Sequence, residues 1–179
     1  WAISASPLLT KLYCAPGNVG IESLATCVPI DANDLAGLKA FVQSEQIDLT
    51  VVGPEAPLAL GIVDEFRTSK LKVFGPTKGA ARIEASKVFS KEIMNRAKIL
   101  TANAQSFDQV APALADLDQH ELPGVVKAGG LAQGKGVVVA ASREEAKQAV
   151  RDSMEQARFG QAGQRVLIEQ FLDGEELTI

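Results

Sequence analysis

Two lysines and four glycines share one short stretch, Val125-Val126-Lys127-Ala128-Gly129-Gly130-Leu131-Ala132-Gln133-Gly134-Lys135-Gly136-Val137-Val138-Val139. Glycine lets backbone N–H groups turn toward an anion without a side chain in the way. Lys127 in an apolar run and Lys135 in the loop supply charge to neutralise that anion. The β-branched flanks fit a pleated, half-buried surface, so both predict strands. From Gly129 to Lys135 the order G-x-x-x-x-G-K is that of a P-loop, but Gly136 stands where a P-loop needs Ser or Thr for Mg²⁺. A P-loop also opens a helix, whereas this loop runs into Val137-Val138-Val139. The spacing predicts a hairpin that folds over phosphates like a flap. From the loop alone, an ordinary glycine-rich hairpin stays open.

A second constellation follows at Glu169-Gln170-Phe171-Leu172-Asp173-Gly174-Glu175-Glu176. An adenine nucleotide needs donors for its phosphates, an apolar slot for its base, and acceptors for its amino and hydroxyl groups. Strand alternation puts Glu169 and Phe171 on one face, and a turn at Asp173-Gly174 brings Glu176 back toward them. A surface hairpin with solvated carboxylates fits the same residues, because charge runs are usually solvated. Lys87 lies in a helical stretch, and taken alone it reads as a solvated lysine.

The elements that must position these residues come from a chain of 179 residues, long enough for one large domain or two small ones. It is 46% apolar and 22% charged, the ordinary balance of a globular protein. Eighteen basic and 22 acidic residues give a net charge of -4, so any anion site must be local and no general attraction to nucleic acid follows. No apolar run approaches the roughly 20 residues that cross a bilayer. Cys14 and Cys27 sit in strand-like runs without metal-ligand spacing and read as buried thiols of a reducing compartment. His120, the one histidine, lies in a polar stretch, which leaves a hydrolytic triad without a plausible base.

In the first half, strands at 12–15, 27–30, 48–53 and 71–75 alternate with helices. The first of these helices carries Leu35, Leu38, Phe41 and Val42, with Asp31 or Asn33 as its cap. The next carries Leu58, Ile62, Val63 and Phe66 as one piece. Alternation of this kind predicts a parallel sheet covered on both sides. Ligands of such sheets bind beyond the carboxyl ends of strands, where Pro16-Gly17-Asn18 and Gly53-Pro54-Glu55 form turns; simple turn chemistry explains both equally well. A helical stretch over 78–97 follows, with Ser86 as a break. The second half reads strand (104–107), helix (110–117), strand, glycine loop, strand, helix, flexible loop (158–163), strand (165–172), turn and strand. Ser142 and Glu145 form a capping box for the second of its helices.

At this point the motifs resemble a known family. Val126-Lys127-Ala128, Gly130-Leu131-Ala132, Gly134-Lys135-Gly136-Val137 and the run from Ile168 to Glu176 are similar to the nucleotide site of ATP-grasp ligases. Ala15-Pro16-Gly17-Asn18, the run from Val51 to Leu58, Phe74-Gly75-Pro76-Thr77 and Ala85-Ser86-Lys87 narrow the resemblance to the phosphoribosylamine–glycine ligase family. The resemblance implies an α/β fold: a parallel-sheet, Rossmann-like pre-ATP-grasp domain over residues 1–80 that lacks its first strand. A helical connector over 81–104 and an incomplete α+β ATP-grasp subdomain over 105–179 would follow.

The implied activity is cytoplasmic, ATP-dependent ligation of glycine to 5-phosphoribosylamine through glycyl phosphate, in purine biosynthesis. Mg²⁺ or Mn²⁺ would assist, the partners would be small molecules alone, without nucleic acid or membrane, and a monomer would suffice. By resemblance, Lys87 and Lys127 reach the ATP phosphates, and Gly134, Lys135 and Gly136 lie in the mobile flap. Glu169 accepts from the adenine amino group, Phe171 and Leu172 present backbone to the adenine edge, and Glu176 binds ribose hydroxyls. Gly17, Asn18, Pro54 and Glu55 are candidates for the phosphoribosylamine pocket. The family's metal ligands would lie beyond Ile179 and its glycine-rich first turn before Trp1, so these residues alone are expected to be inactive.

The sequence departs from the family at two places: Gly129 stands for a usual Asp, and Gln133 for a small residue. An extra glycine should loosen the loop. Two rival readings share the second half: another ATP-grasp ligase, activating bicarbonate or a different amino acid, and a non-catalytic nucleotide-binding module. A dinucleotide-binding dehydrogenase fails because no G-x-G-x-x-G follows a strand and opens a helix.

Overall fold

The computed structural model describes residues 1–119, 124–132, 135–175 and 177. They form two compact units, Trp1–Ala81 and Arg82–Ile179.

In the first unit, β1 (Tyr13–Cys14) pairs in parallel with β2 (Thr26–Cys27). β3 (Thr50–Val51) pairs in parallel with β4 (Val73–Phe74). The expected parallel pairing is present, though as two separate two-stranded ladders. Between them run α1 (Leu35–Ser44), α2 (Glu55–Leu60) and α3 (Ile62–Thr68). Their apolar stripes supply Val42, Leu58, Ile62, Val63 and Phe66 to one core, with Leu35, Leu38, Val52 and Val73 packed against it.

Three expectations change here. Asp34, not Asp31 or Asn33, caps α1, its carboxylate accepting from the Gly37 N–H at 2.9 Å; Asp31 instead closes a turn by accepting from Asn33 N–H. The second helix is two pieces, because Gly61 takes a left-handed φ of 104° that ends α2 and starts α3. The strands are not covered on both faces: Leu49, Val51 and Phe74 stay largely exposed, since the helical core packs on one side of these short ladders only.

The helical stretch that follows does break at Ser86, into α4 (Lys78–Ala85) and α5 (Lys87–Arg96). Ser86 is extended, and its hydroxyl accepts from the Phe89 N–H as the cap of α5. The Arg82 guanidinium lies 3.9 Å over the Phe89 ring and ties the end of α4 to the start of α5.

In the second unit β5 (Ala104–Phe107), β8 (Val166–Gln170), β6 (Gly124–Ala128) and β7 (Val137–Ala140) form one antiparallel sheet in that order. α6 (Val110–Leu117) and α7 (Arg143–Met154) pack on one face. Period-two alternation sends Val126, Val166, Ile168, Phe107 and Ala140 to that face, where they meet Ala113, Leu117, Ala146 and Val150. The Ser142 hydroxyl accepts from Glu145 N–H, as a capping box requires, while the Glu145 carboxylate reaches back to Ala141 N–H, one residue before the cap. The stretch expected as a flexible loop contains a 3₁₀ turn, Gly160–Gly163, pinned by a hydrogen bond from the buried Ser153 hydroxyl to the Gly163 carbonyl.

A paired substitution tests this backbone account. Gly61→Ala forces a side chain into a left-handed position and is expected to cost about 1–3 kcal/mol. Gly79→Ala, in open space within α4, should instead gain up to about 1 kcal/mol. Denaturant unfolding of both variants reads the difference in sign.

Candidate functional site

The glycine loop is a hairpin. β6 and β7 are antiparallel with Lys127 opposite Val137, and the ladder continues through a hydrogen bond from Ala128 N–H to the Gly136 carbonyl at 2.7 Å. Lys135 N–H donates to the Ala132 carbonyl and closes the loop, leaving the exposed Lys135 beyond the sheet. Gly134 and Gln133 lie outside the described residues, as do Glu176 and His120. At Gly136 a Cβ would stand 2.6 Å from the Cβ of Ala132 and 2.8 Å from that of Ala128. The serine of a P-loop has no room there, which gives the sequence mismatch a steric reason.

Gly129 does not loosen the loop at its own position. Its N–H donates to the Arg165 carbonyl at 2.8 Å, and its carbonyl accepts from Lys87 N–H at 2.9 Å. The residue is buried, and a Cβ would lie 3.0 Å from the Arg165 carbonyl oxygen. Gly130 is held as well, its N–H on the Ala162 carbonyl. Backbone pairing on both sides replaces the freedom that glycine would otherwise confer.

Lys127 and Glu169 occupy the sheet face opposite the helical core. In the β6–β8 register Val125 faces Glu169 and Lys127 faces Leu167, so Lys127 and Glu169 are diagonal neighbours on one face. Their side chains form an ion pair. Glu169 is only 4% exposed, and its second oxygen is taken by Lys91, 2.5 Å away on α5. Burial pushes the Glu169 carboxyl up, but hydrogen bonds and charge from Lys127 and Lys91 outweigh it, so the net direction is down. Sequence reasoning missed Lys91. The signal was its position four residues after Lys87, one turn along the same helix face.

Lys87 is half-buried at the start of α5 and donates to the Gly130 carbonyl at 3.1 Å. Burial, and then the charge of Lys127, lower its pKa; Glu84 opposes them. The two ammonium groups thus sense each other beside the glycine hairpin, an arrangement that a polyanion would relieve. Phe171 and Leu172 follow the end of β8 as exposed, irregular chain, so the strand stops before the alternation expected for Phe171 applies. In the first unit Gly17 has φ 80° and Asn18 is exposed in the turn after β1, its side-chain oxygen accepting from Ile21 N–H. Pro54 and Glu55 are exposed at the start of α2, after β3. The two turns follow different ladders. Among the described residues no cluster of three or more His, Cys, Asp or Glu side chains is placed to hold a metal ion.

The glycine hairpin, Lys127 and the buried carboxylate lie on an antiparallel sheet within residues 85–179, which match an ATP-grasp domain. The fold agrees: a Campylobacter jejuni biotin carboxylase solved with β-γ-ATP matches 90% of this chain with TM-score 0.72 at 14% identity, covering 39% of that chain. Residues 1–84 match the family described as phosphoribosylglycinamide synthetase, N domain, and residues 85–179 match its ATP-grasp (A) domain. The chain belongs to the phosphoribosylglycinamide synthetase family. It is 52% identical over 180 residues to the phosphoribosylamine–glycine ligase of Haemophilus influenzae, and equally to that of Escherichia coli K12. In both cases 99% of this chain is matched. The crystal structure of the phosphoribosylamine–glycine ligase of Thermotoga maritima superposes on 98% of the chain with TM-score 0.76 at 26% identity, over 41% of its own length. The chain spans 42% of the length of the curated relatives.

The Glu169 carboxyl gives a pH prediction. Its folded pKa lies below the ordinary 4.5, so the stability it adds is in place above that value and is lost as pH falls through the folded value. Glu169→Gln should therefore flatten the acid side of the stability profile. Denaturant midpoints followed from neutral pH into acid check this.

Proposed function

We propose that this chain takes part in the ATP-dependent ligation of glycine to 5-phosphoribosylamine, giving glycinamide ribonucleotide, ADP and phosphate. ATP would transfer its terminal phosphoryl group to the glycine carboxylate, and the amine would displace phosphate from the resulting glycyl phosphate. The observation that carries this reading is the group Lys87, Lys127 and Glu169 beside the glycine hairpin, in a chain matched along its whole length by the family's two domains.

Within this reading Lys87 and Lys127 neutralise the phosphates, and Lys135 and Gly136, with Gly134, form the hairpin that closes on them. Positioning and charge neutralisation are the protein's main contributions to such a transfer. A carboxylate has about four lone-pair sites, so Glu169 can hold two lysines and still accept from the adenine amino group. The backbone of Phe171 and Leu172, where regular pairing has ended, is available to the adenine edge, and Glu176 would take ribose hydroxyls. Gly17, Asn18, Pro54 and Glu55 would line the phosphoribosylamine pocket. Mg²⁺ or Mn²⁺ would act with ATP, and the described residues offer no ligand cluster for it. Among the described residues no helix is long and apolar enough to cross a membrane. The cytoplasmic placement of the activity rests on its likeness to the biosynthetic relatives alone.

Full-length protein should release ADP in a manner dependent on both glycine and phosphoribosylamine. Release unaffected by omitting either one would overturn the assignment of substrates. Lys127→Ala should weaken ATP binding by about tenfold or more, the typical loss of a charge-assisted hydrogen bond. Isothermal calorimetry showing an unchanged affinity would remove Lys127 from the site.

A further inference from the structure

Lys91 differs from the other two lysines in how completely it is held. Its side chain is 10% exposed, and its ammonium meets Glu169 at 2.5 Å, the Thr101 hydroxyl at 2.6 Å and the Ala102 carbonyl at 2.7 Å. An ammonium has three donors, and all three are in use. Thr101 and Ala102 belong to the segment that leads into β5, so Lys91 joins α5, the sheet edge and β8. Lys127 is more open, at 28%, and its ion pair is with Glu169.

These differences decide which lysine can move. Drawing Lys91 away would break three contacts and leave Glu169 and Thr101 short of partners. Drawing Lys127 away would break one pair among the described residues, provided that the buried carboxylate keeps another cation, since an unpaired buried charge is strongly destabilising. Lys91 is that cation. Two ammonium groups share this one carboxylate, and Lys87, whose pKa the Lys127 charge lowers against the pull of Glu84, adds to the positive field, which suits a polyphosphate.

We infer that Lys91 is a positioning residue of the nucleotide site: anchored on Thr101 and Ala102, it holds the Glu169 carboxylate toward the base and releases Lys127 to a phosphate. The inference rests on the nucleotide reading above. It assigns Lys91 no contact with ATP, so its effect should reach the base through Glu169 and the phosphates only through Lys127.

The test is calorimetric binding of ATP and of adenosine to the wild-type chain and to Lys91→Met, Lys91→Arg and Lys127→Met, with circular dichroism confirming the fold. Lys91→Met should weaken adenosine about tenfold and ATP by at least that factor, because Lys127 then stays on Glu169, and both more so as pH is lowered, because burial then raises Glu169 unopposed by Lys91. Lys91→Arg should restore most of the loss, and Lys127→Met should weaken ATP far more than adenosine. A folded Lys91→Met with wild-type affinities overturns the inference. So does a loss for ATP without one for adenosine, which would make Lys91 a phosphate ligand. If Lys91→Met does not fold, Thr101→Val, which removes one anchor and keeps the charge, should show the same joint loss at smaller size; unchanged affinities there overturn it. Wild-type chain that binds neither compound would overturn the nucleotide reading itself, a result distinct from wild-type binding with Lys91 variants unaffected.

Discussion

The carboxylate of Glu169, buried between Lys127 and Lys91, is the interaction on which the second unit's design turns. A buried charge is tolerated only when it is paired and its remaining lone pairs are used. The requirement propagates outward. Lys127 must lie on the same sheet face as Glu169, which fixes the β6–β8 register, because a slip of one residue would send it into the helical core. Lys91 must reach the same oxygen pair, which places α5 over that face. Lys87, one turn earlier on α5, is then brought to the Gly130 carbonyl.

The sheet therefore separates two jobs by alternation alone. Val126, Val166 and Ile168 face α6 and α7 and supply the apolar burial. Lys127 and Glu169, each one residue out of step, face the other way. Apolar burial and the buried ion pair are carried by the same two strands without competing for the same positions. The core face offers the rigidity, and the charged face uses it to hold an ion pair in one geometry.

Much of this was legible in the sequence for physical reasons. Long periodic segments and strong punctuation survive folding: Ser86 breaks the helical stretch, Ser142 and Glu145 start α7, and the valine runs around the glycine loop pair as a hairpin. Lys127 and Glu169 could be placed on strands from local pattern. What pattern could not show was Lys91, because its partners lie on a distant strand and on the segment before β5, and a lysine inside a helix reads by default as solvated. The cap of α1 and the division at Gly61 were missed for a different reason. Asp31, Asn33 and Asp34 are all competent caps by type, and only the turn closed by Asp31 decides among them. The two-sided burial expected for β3 and β4 assumed helices on both faces, whereas the core gathers on one.

Gly129 shows most clearly how backbone context overrides residue type. Glycine is free only where its peptide groups are unclaimed, and here both are claimed, by Arg165 and by the first residue of α5. The base of the hairpin is thus held as far as Gly130, whose N–H donates to the Ala162 carbonyl. The same base presents the Gly130 carbonyl to which the Lys87 ammonium donates. A side chain at position 129 would press on the Arg165 carbonyl at 3.0 Å. The residue's role in this chain is therefore close packing at the base of the hairpin, between Arg165 and the first residue of α5.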